Sequence, residues 1–249
     1  MLVFTLLETP VVGAYHLVTA LVHLTQPLLG PAGAGAAIVL FTAAVRLLLL
    51  PLGRAAIRGS DAKAARMPEV RELQERHKKD PHRLREEVTA LYQRSGTSMY
   101  AGCLPMLLPV PVFTLMYQLF SAPTISGAPN TLLGQELFGV PLSQHWFELL
   151  RDGAVGGGGV FLLLFALLAV TAWLSSRRQA RLMQHSGTQV PGLALLRWLP
   201  YGTVLAAGVI PLAAGVYLLT TTTWTLVERM LFSPAPAPED RQRDASRST

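Results

Sequence analysis

The chain has 249 residues, of which 51% are hydrophobic and 14% charged, and its mean hydropathy is +0.38. An average soluble domain carries about 25% charged residues, and the apolar residues here come in blocks long enough to cross a hydrocarbon core of about 30 Å, so an ordinary soluble domain is excluded. The lone cysteine, Cys103, excludes an intrachain disulfide framework, no zinc-type Cys/His spacing is present, and the net charge of +6 is concentrated in particular loops.

That concentration sets the expected orientation. Met1 to Pro31 has no Lys or Arg, whereas the loop after the first long apolar helix carries Arg54, Arg58, Lys63, Arg66, Arg71, Arg76, Lys78, Lys79, Arg83, Arg85 and Arg94. By the positive-inside rule this loop is cytoplasmic and the N-terminus lies outside. The basic charge thus belongs to membrane topology, and no sequence-specific nucleic-acid recognition is expected. The fold class predicted is an all-α polytopic membrane protein with five transmembrane helices, an N-terminal interfacial helix and a cytoplasmic helical hairpin.

In chain order, residues 1–32 form an extracytoplasmic N-terminus without the basic region of a secretory signal, so Met1 is expected to be retained. Between Pro10 and Pro27, Val11, Val12, Tyr15, Val18, Leu21, Val22 and Leu24 lean to one face and His16, Thr19 and His23 to another. That pattern fits a helix lying in the outer interface, with a short extra span as the alternative.

The first span is predicted over 33–53. Within it FTAAVRLLLLPL, Phe41 to Leu52, holds one arginine, Arg46, eight residues short of Arg54. At 1.5 Å per residue Arg46 lies about 12 Å inside the inner boundary, beyond easy snorkelling, so it is expected to face a water-filled cavity.

Residues 54–98 are predicted as a charged cytoplasmic hairpin. Its first helix carries PEVRELQERHKK, Pro68 to Lys79, with charges at ion-pairing spacings. Its second starts at Asp80-Pro81, an N-cap followed by proline at the first helical position, and shows the stripe Leu84, Val88, Leu91, Tyr92.

The second span, 99–120, contains Pro105, Pro109 and Pro111 and is expected to be bent and packed against neighbours. Residues 121–159 form an acid-biased outer loop. The third span, 160–176, ends at Arg177, Arg178 and Arg181, an inside signal. After a cytoplasmic turn over 177–192, two short spans are predicted over 193–210 and 211–231, split near Ile210-Pro211. The tail, 232–249, is Pro-rich and balanced in charge, a disordered cytoplasmic segment by composition.

Taken in order, VRLLLLPL, ELQERHKKDPHRL, LYQRSG and GCLPMLLPVPVF closely resemble the YidC/Oxa/Alb membrane protein insertase family, in its short bacterial form without a large outer domain. The resemblance covers about Gly33 to Leu231. It implies a five-helix core with a hydrophilic groove open to cytoplasm and lipid and closed toward the outside, in which Arg46 is the groove arginine. PLAAGVYLLTTTTWTLVERM resembles the family's last core helix and maps the groove tyrosine onto Tyr217 and a polar pair onto Thr221 and Thr222. Thr42 and Tyr117 are further groove candidates. The chain departs from the family at Leu218, where an aromatic is common, at Pro109, where glutamine is common, and at Met99-Tyr100, where a small-residue turn is common.

The function implied is insertion and folding of integral membrane proteins, with Arg46 attracting acidic substrate segments. The hairpin, through Arg71, Arg76, Lys78, Lys79, Arg83 and Arg85, would dock a ribosome, a targeting receptor or the Sec translocon. Nascent membrane proteins and the lipid bilayer are the other partners. Neither a cofactor nor a metal is expected, nothing resembles a P-loop, and no nucleophile and base pair suggests an enzyme. The competing reading is a small anion transporter or channel with Arg46 as its anion site, although no internal repeat links the two halves of the chain.

Overall fold

A computed structural model of the chain describes residues 2–78, 80–94, 109–151, 157–185 and 199–232. The expected start of the second span, the later part of the 177–192 turn, the start of the fourth span and the tail lie outside the described residues, as do Lys79 and Cys103. The all-α class holds, since the only strands among the described residues are two-residue pieces in one loop.

Helix α1, Leu2–Leu29, is longer at both ends than the 10–27 segment expected and runs through Pro10 and Pro27. It ends at Gly30, whose positive φ of 52° is a conformation that glycine adopts at little cost, followed by a 3-10 turn, Gly30–Ala32. The chain then doubles back into α2, Gly33–Leu48. The two helices touch where Thr25 donates its hydroxyl to the Gly33 carbonyl at 2.8 Å. A Cβ on Gly33 would meet the Gln26 Cα at 2.6 Å, so this approach needs glycine.

The first predicted span was expected to stop at Gly53, but the helical path continues as α3, Leu50–Ala65. Pro51 explains the seam between the two. It has no N–H to offer the Leu47 carbonyl, while the Leu49 and Gly53 N–H groups on either side keep ordinary helical bonds to the Val45 and Leu49 carbonyls at 3.0 and 2.8 Å. Beyond it the run RAAIR contains good helix formers and nothing that stops a helix.

Two polar helices follow, α4, Met67–Arg76, and α5, Pro81–Arg94. The Asp80 carboxylate accepts the Arg83 N–H at 3.1 Å, capping the proline-led start of α5. His77 and Glu87 approach to 3.3 Å across the turn, and Tyr92 is the buried member of the α5 stripe.

Helix α6, Pro109–Ser121, leads into a loop that is more ordered than its composition suggests. Strands β1, Thr124–Ile125, and β2, Ala128–Pro129, form one antiparallel hairpin; β3, Glu136–Leu137, and β4, Val140–Pro141, form another. Each turns through two residues of positive φ, Ser126-Gly127 and Phe138-Gly139, the geometry that matches strand twist in two-residue hairpins. Asn130 fastens this layer to α6. Its amide donates to the Leu119 and Ala122 carbonyls at 2.6 and 2.9 Å, and its side-chain oxygen accepts the Leu132 N–H.

A short helix α7, Trp146–Arg151, precedes the long α8, Gly158–His185, which runs past the expected end at Ser176 through Arg177, Arg178 and Arg181. After a 3-10 turn, Leu199–Tyr201, come α9, Gly202–Ala207, and α10, Leu212–Phe232, the last within a residue of its expected bounds.

Helix α10 is the centre, packed on α2, α6, α8 and α9. Its start is pinned to the loop layer by N–H groups of Leu212 and Ala213 donating to the Gln144 and Leu142 carbonyls. Buried Phe161, Leu164, Leu168 and Ala172 of α8 recur at three- and four-residue steps and face it. At Gly215 the helices nearly touch, since a Cβ there would lie 2.6 Å from a Leu164 methyl.

The face of α8 away from α10 exposes Leu162, Leu163, Leu167, Val170 and Leu174, and α2 exposes Leu40, Leu47 and Leu48. Such continuous exposed apolar surface is what lipid covers. The runs Pro10–Leu48, over α1 and α2, and Gly158–Ala180 are long and apolar enough to cross a membrane by length and composition.

Candidate functional site

Arg46 sits on α2 with one hydroxyl-bearing helix beside it. Its Nε donates to the Thr221 Oγ1 at 3.0 Å, and its Nη2 donates to the same oxygen at 2.8 Å and to the Thr221 carbonyl at 3.4 Å. Arg46 was expected to face a water-filled cavity. The cavity that Arg46 lines with Thr42, Val45, Val112, Tyr217 and Thr221 has about 10 Å³ of room, roughly that of one water. A search for an acid on another span misses Thr221, because a neutral hydroxyl and a carbonyl supply the bonds.

This contact is one rung of a longer ladder. Gly53 meets Glu228, whose carboxylate oxygens would lie 3.3 and 3.5 Å from a Cβ built there. Both pairs share one offset, Thr221 following Arg46 and Glu228 following Gly53 by the same 175 positions. Thr42 and Tyr217, which share the cavity, have that offset too. Helices α2–α3 and α10 therefore run parallel and in register, and positions 42, 46 and 53 step along one helix as 217, 221 and 228 step along the other.

The rungs differ in depth within the protein. Tyr217 is 1% exposed, its phenol hydrogen-bonded with the Thr221 side chain and its ring 6.2 Å from that of Phe113. Thr42 is buried, its hydroxyl donating to the Ile38 carbonyl at 2.7 Å. Arg46 is half-buried, and its Nη1 has no hydrogen-bond partner among the described residues.

Two of the expected groove residues stand apart. The Thr222 hydroxyl is spent on its own helix, donating to the Leu218 carbonyl at 2.7 Å. Tyr117 is 41% exposed and stacks on Phe113, one residue removed from the cavity wall. Glu228, near the end of α10, is buried, a position that hydropathy at a helix terminus does not reveal.

Of the predicted docking residues, Arg76, Lys78, Arg83 and Arg85 are exposed, and Arg76 pairs with Glu72. Arg71 is half-buried, with its Nε and Nη2 making no hydrogen bond among the described residues.

With this geometry in place, comparison with known proteins is informative. The family described as "60Kd inner membrane protein" matches residues 24–236, which takes in every helix from α2 to α10. The chain belongs to this family, the YidC/Oxa/Alb family. Similar relatives carry the name membrane protein insertase YidC. The one from Streptomyces avermitilis is 26% identical over 215 residues, covering 79% of this chain and 50% of its own. That from Zymomonas mobilis is 27% identical over 230 residues, covering 86% of this chain and 36% of its own. The Clostridium perfringens relative is 30% identical over 162 residues, covering 64% of this chain and 60% of its own. The chain thus spans about half the length of the Streptomyces relative and about a third of the Zymomonas one.

Proposed function

We propose that this protein is a bacterial inner-membrane insertase and chaperone, and that the α2–α10 seam is the wall of its substrate groove. Relatives named as insertases support the class. The observation that carries the mechanism is the state of Arg46. It is tethered by a neutral hydroxyl and carbonyl, so its positive charge is positioned without being cancelled. A carboxylate partner would have neutralised it. A cation held this way inside an apolar helix attracts an acidic segment strongly, because low-dielectric surroundings weaken screening.

The polar segment of a client would displace the water-sized cavity contents beside Thr42, Arg46 and Tyr217 while its apolar helix passes into lipid along the exposed leucines of α2. No covalent chemistry is needed. The free energy comes from apolar burial in lipid, and the groove lowers the cost of carrying a charged tail through it.

In this reading the apolar stretches of α2–α3, α8 and α10 start at the outer loop layer and reach the cytoplasmic side at Arg54, Arg177 and Arg229, with the N-terminus outside and the C-terminus inside. Helix α1 lies in the outer interface: Tyr15 reaches Thr131 at 2.8 Å and Gln26 reaches Gln135 at 3.3 Å, so both ends of this segment stay level with the hairpin loop. The helices α4 and α5 offer their exposed cations to a ribosome, a targeting receptor or the Sec translocon.

The test is insertion of a single-span client with an acidic outer tail into proteoliposomes. Arg46→Ala should lower insertion strongly and Arg46→Lys should retain part of it. Normal insertion by both variants would count against the groove role.

A further inference from the structure

Glu228 stands seven residues beyond Thr221 on α10, about 10 Å further along the axis. Its side chain is 6% exposed and lies against Gly53, the residue immediately before Arg54. Among the described residues it has neither a hydrogen bond nor an ion pair. Two nearby cations are engaged elsewhere. The Arg54 guanidinium covers the Phe232 ring at 4.3 Å, and Arg178 donates to the Arg229 carbonyl.

A carboxylate whose side chain is largely covered and that has no cation gains when one arrives at its oxygens. Gly53 keeps room for it, since any larger residue would press on the carboxylate oxygens. The depth of the pair decides which cation can come. On the groove reading above, Gly53 and Glu228 lie level with the inner membrane boundary, where the basic flank of a newly inserted helix comes to rest.

We propose that Glu228 receives the Lys or Arg flanking the cytoplasmic end of a client helix. The seam then reads a charge pattern, an acidic segment at Arg46 and a basic one about two turns below it. This rests on the groove reading above and adds a specificity-determining residue to it.

Two clients test it, with the same acidic outer tail and the same apolar helix, one with a Lys-Lys inner flank and one with Gln-Gln. Both are inserted by the full-length protein in proteoliposomes. Wild type should favour the Lys flank roughly two- to fivefold, the range of a partly exposed ion pair. Glu228→Gln, nearly isosteric, should bring that ratio to about one while leaving the Gln-flanked client unchanged, and Glu228→Asp should keep most of the preference. An unchanged ratio in Glu228→Gln, an equal loss for both clients, or no flank preference in wild type would overturn the inference. Arg46→Ala should lower both clients alike, so a flank effect that survives there separates the two claims. Wild type that inserts neither client would sink the groove reading and this inference with it.

Discussion

Thr221 is the residue whose loss should separate the charge of Arg46 from its placement. Thr221→Val keeps the shape and removes the hydroxyl that accepts from Nε and Nη2. Hydrogen bonds to charged groups contribute about 1.5–3 kcal/mol, so the variant should melt at lower temperature in detergent while the arginine cation remains to draw acidic clients. Thermal unfolding together with insertion would show it. A Thr221→Val protein as inactive as Arg46→Ala, at normal stability, would mean that placement rather than charge does the work. At this scale the sequence was informative about cost and silent about partners. An arginine amid leucines announces itself, but the hydroxyl that holds it is 175 positions away, and no local pattern marks which of the four consecutive threonines, Thr220 to Thr223, points at it.

At the scale of elements, close approach governs the core. Gly215→Ala would place a methyl 2.6 Å from Leu164, forcing α8 and α10 apart, and overpacking of this kind costs about 1–3 kcal/mol. Gly13 lies within α1 with nothing near its missing side chain, so Gly13→Ala should raise stability by about 0.5–1 kcal/mol through helix propensity alone. Thermal melts of the two variants should move in opposite directions; a shared direction would refute the packing account. Asn130→Ala should also destabilise, by about 1–3 kcal/mol, because the buried Leu119 carbonyl loses its donor.

The long elements were legible because apolar runs and the Asp80-Pro81 step are local signals. The continuation of α2 into α3 was not, since a change from apolar to charged residues marks a membrane boundary without ending a helix. The two small hairpins were hidden as well. Phe138 at positive φ is an unfavourable choice that only its turn geometry explains.

At the scale of the whole molecule, helical paths that carry arginines beyond their apolar stretches, at Arg54, Arg177 and Arg229, make orientation the claim to check. In a Cys103→Ser background, Phe138→Cys on the hairpin tip should react with an impermeant maleimide in intact cells. Gln93→Cys on α5 should react only after permeabilisation. The opposite pattern would invert the topology. Charge asymmetry is the sequence signal behind this expected orientation, whereas the seam needed the register of α2 against α10, a relation between distant segments.

The most direct test of the groove is site-specific photocrosslinking to a stalled nascent membrane protein from probes at positions 46 and 217, with position 163 on the exposed face of α8 as the comparison. The account predicts crosslinks from 46 and 217 to the polar tail of the client and none to that tail from 163. Crosslinks to lipid alone from 46 and 217, or tail crosslinks of equal strength from all three, would contradict it.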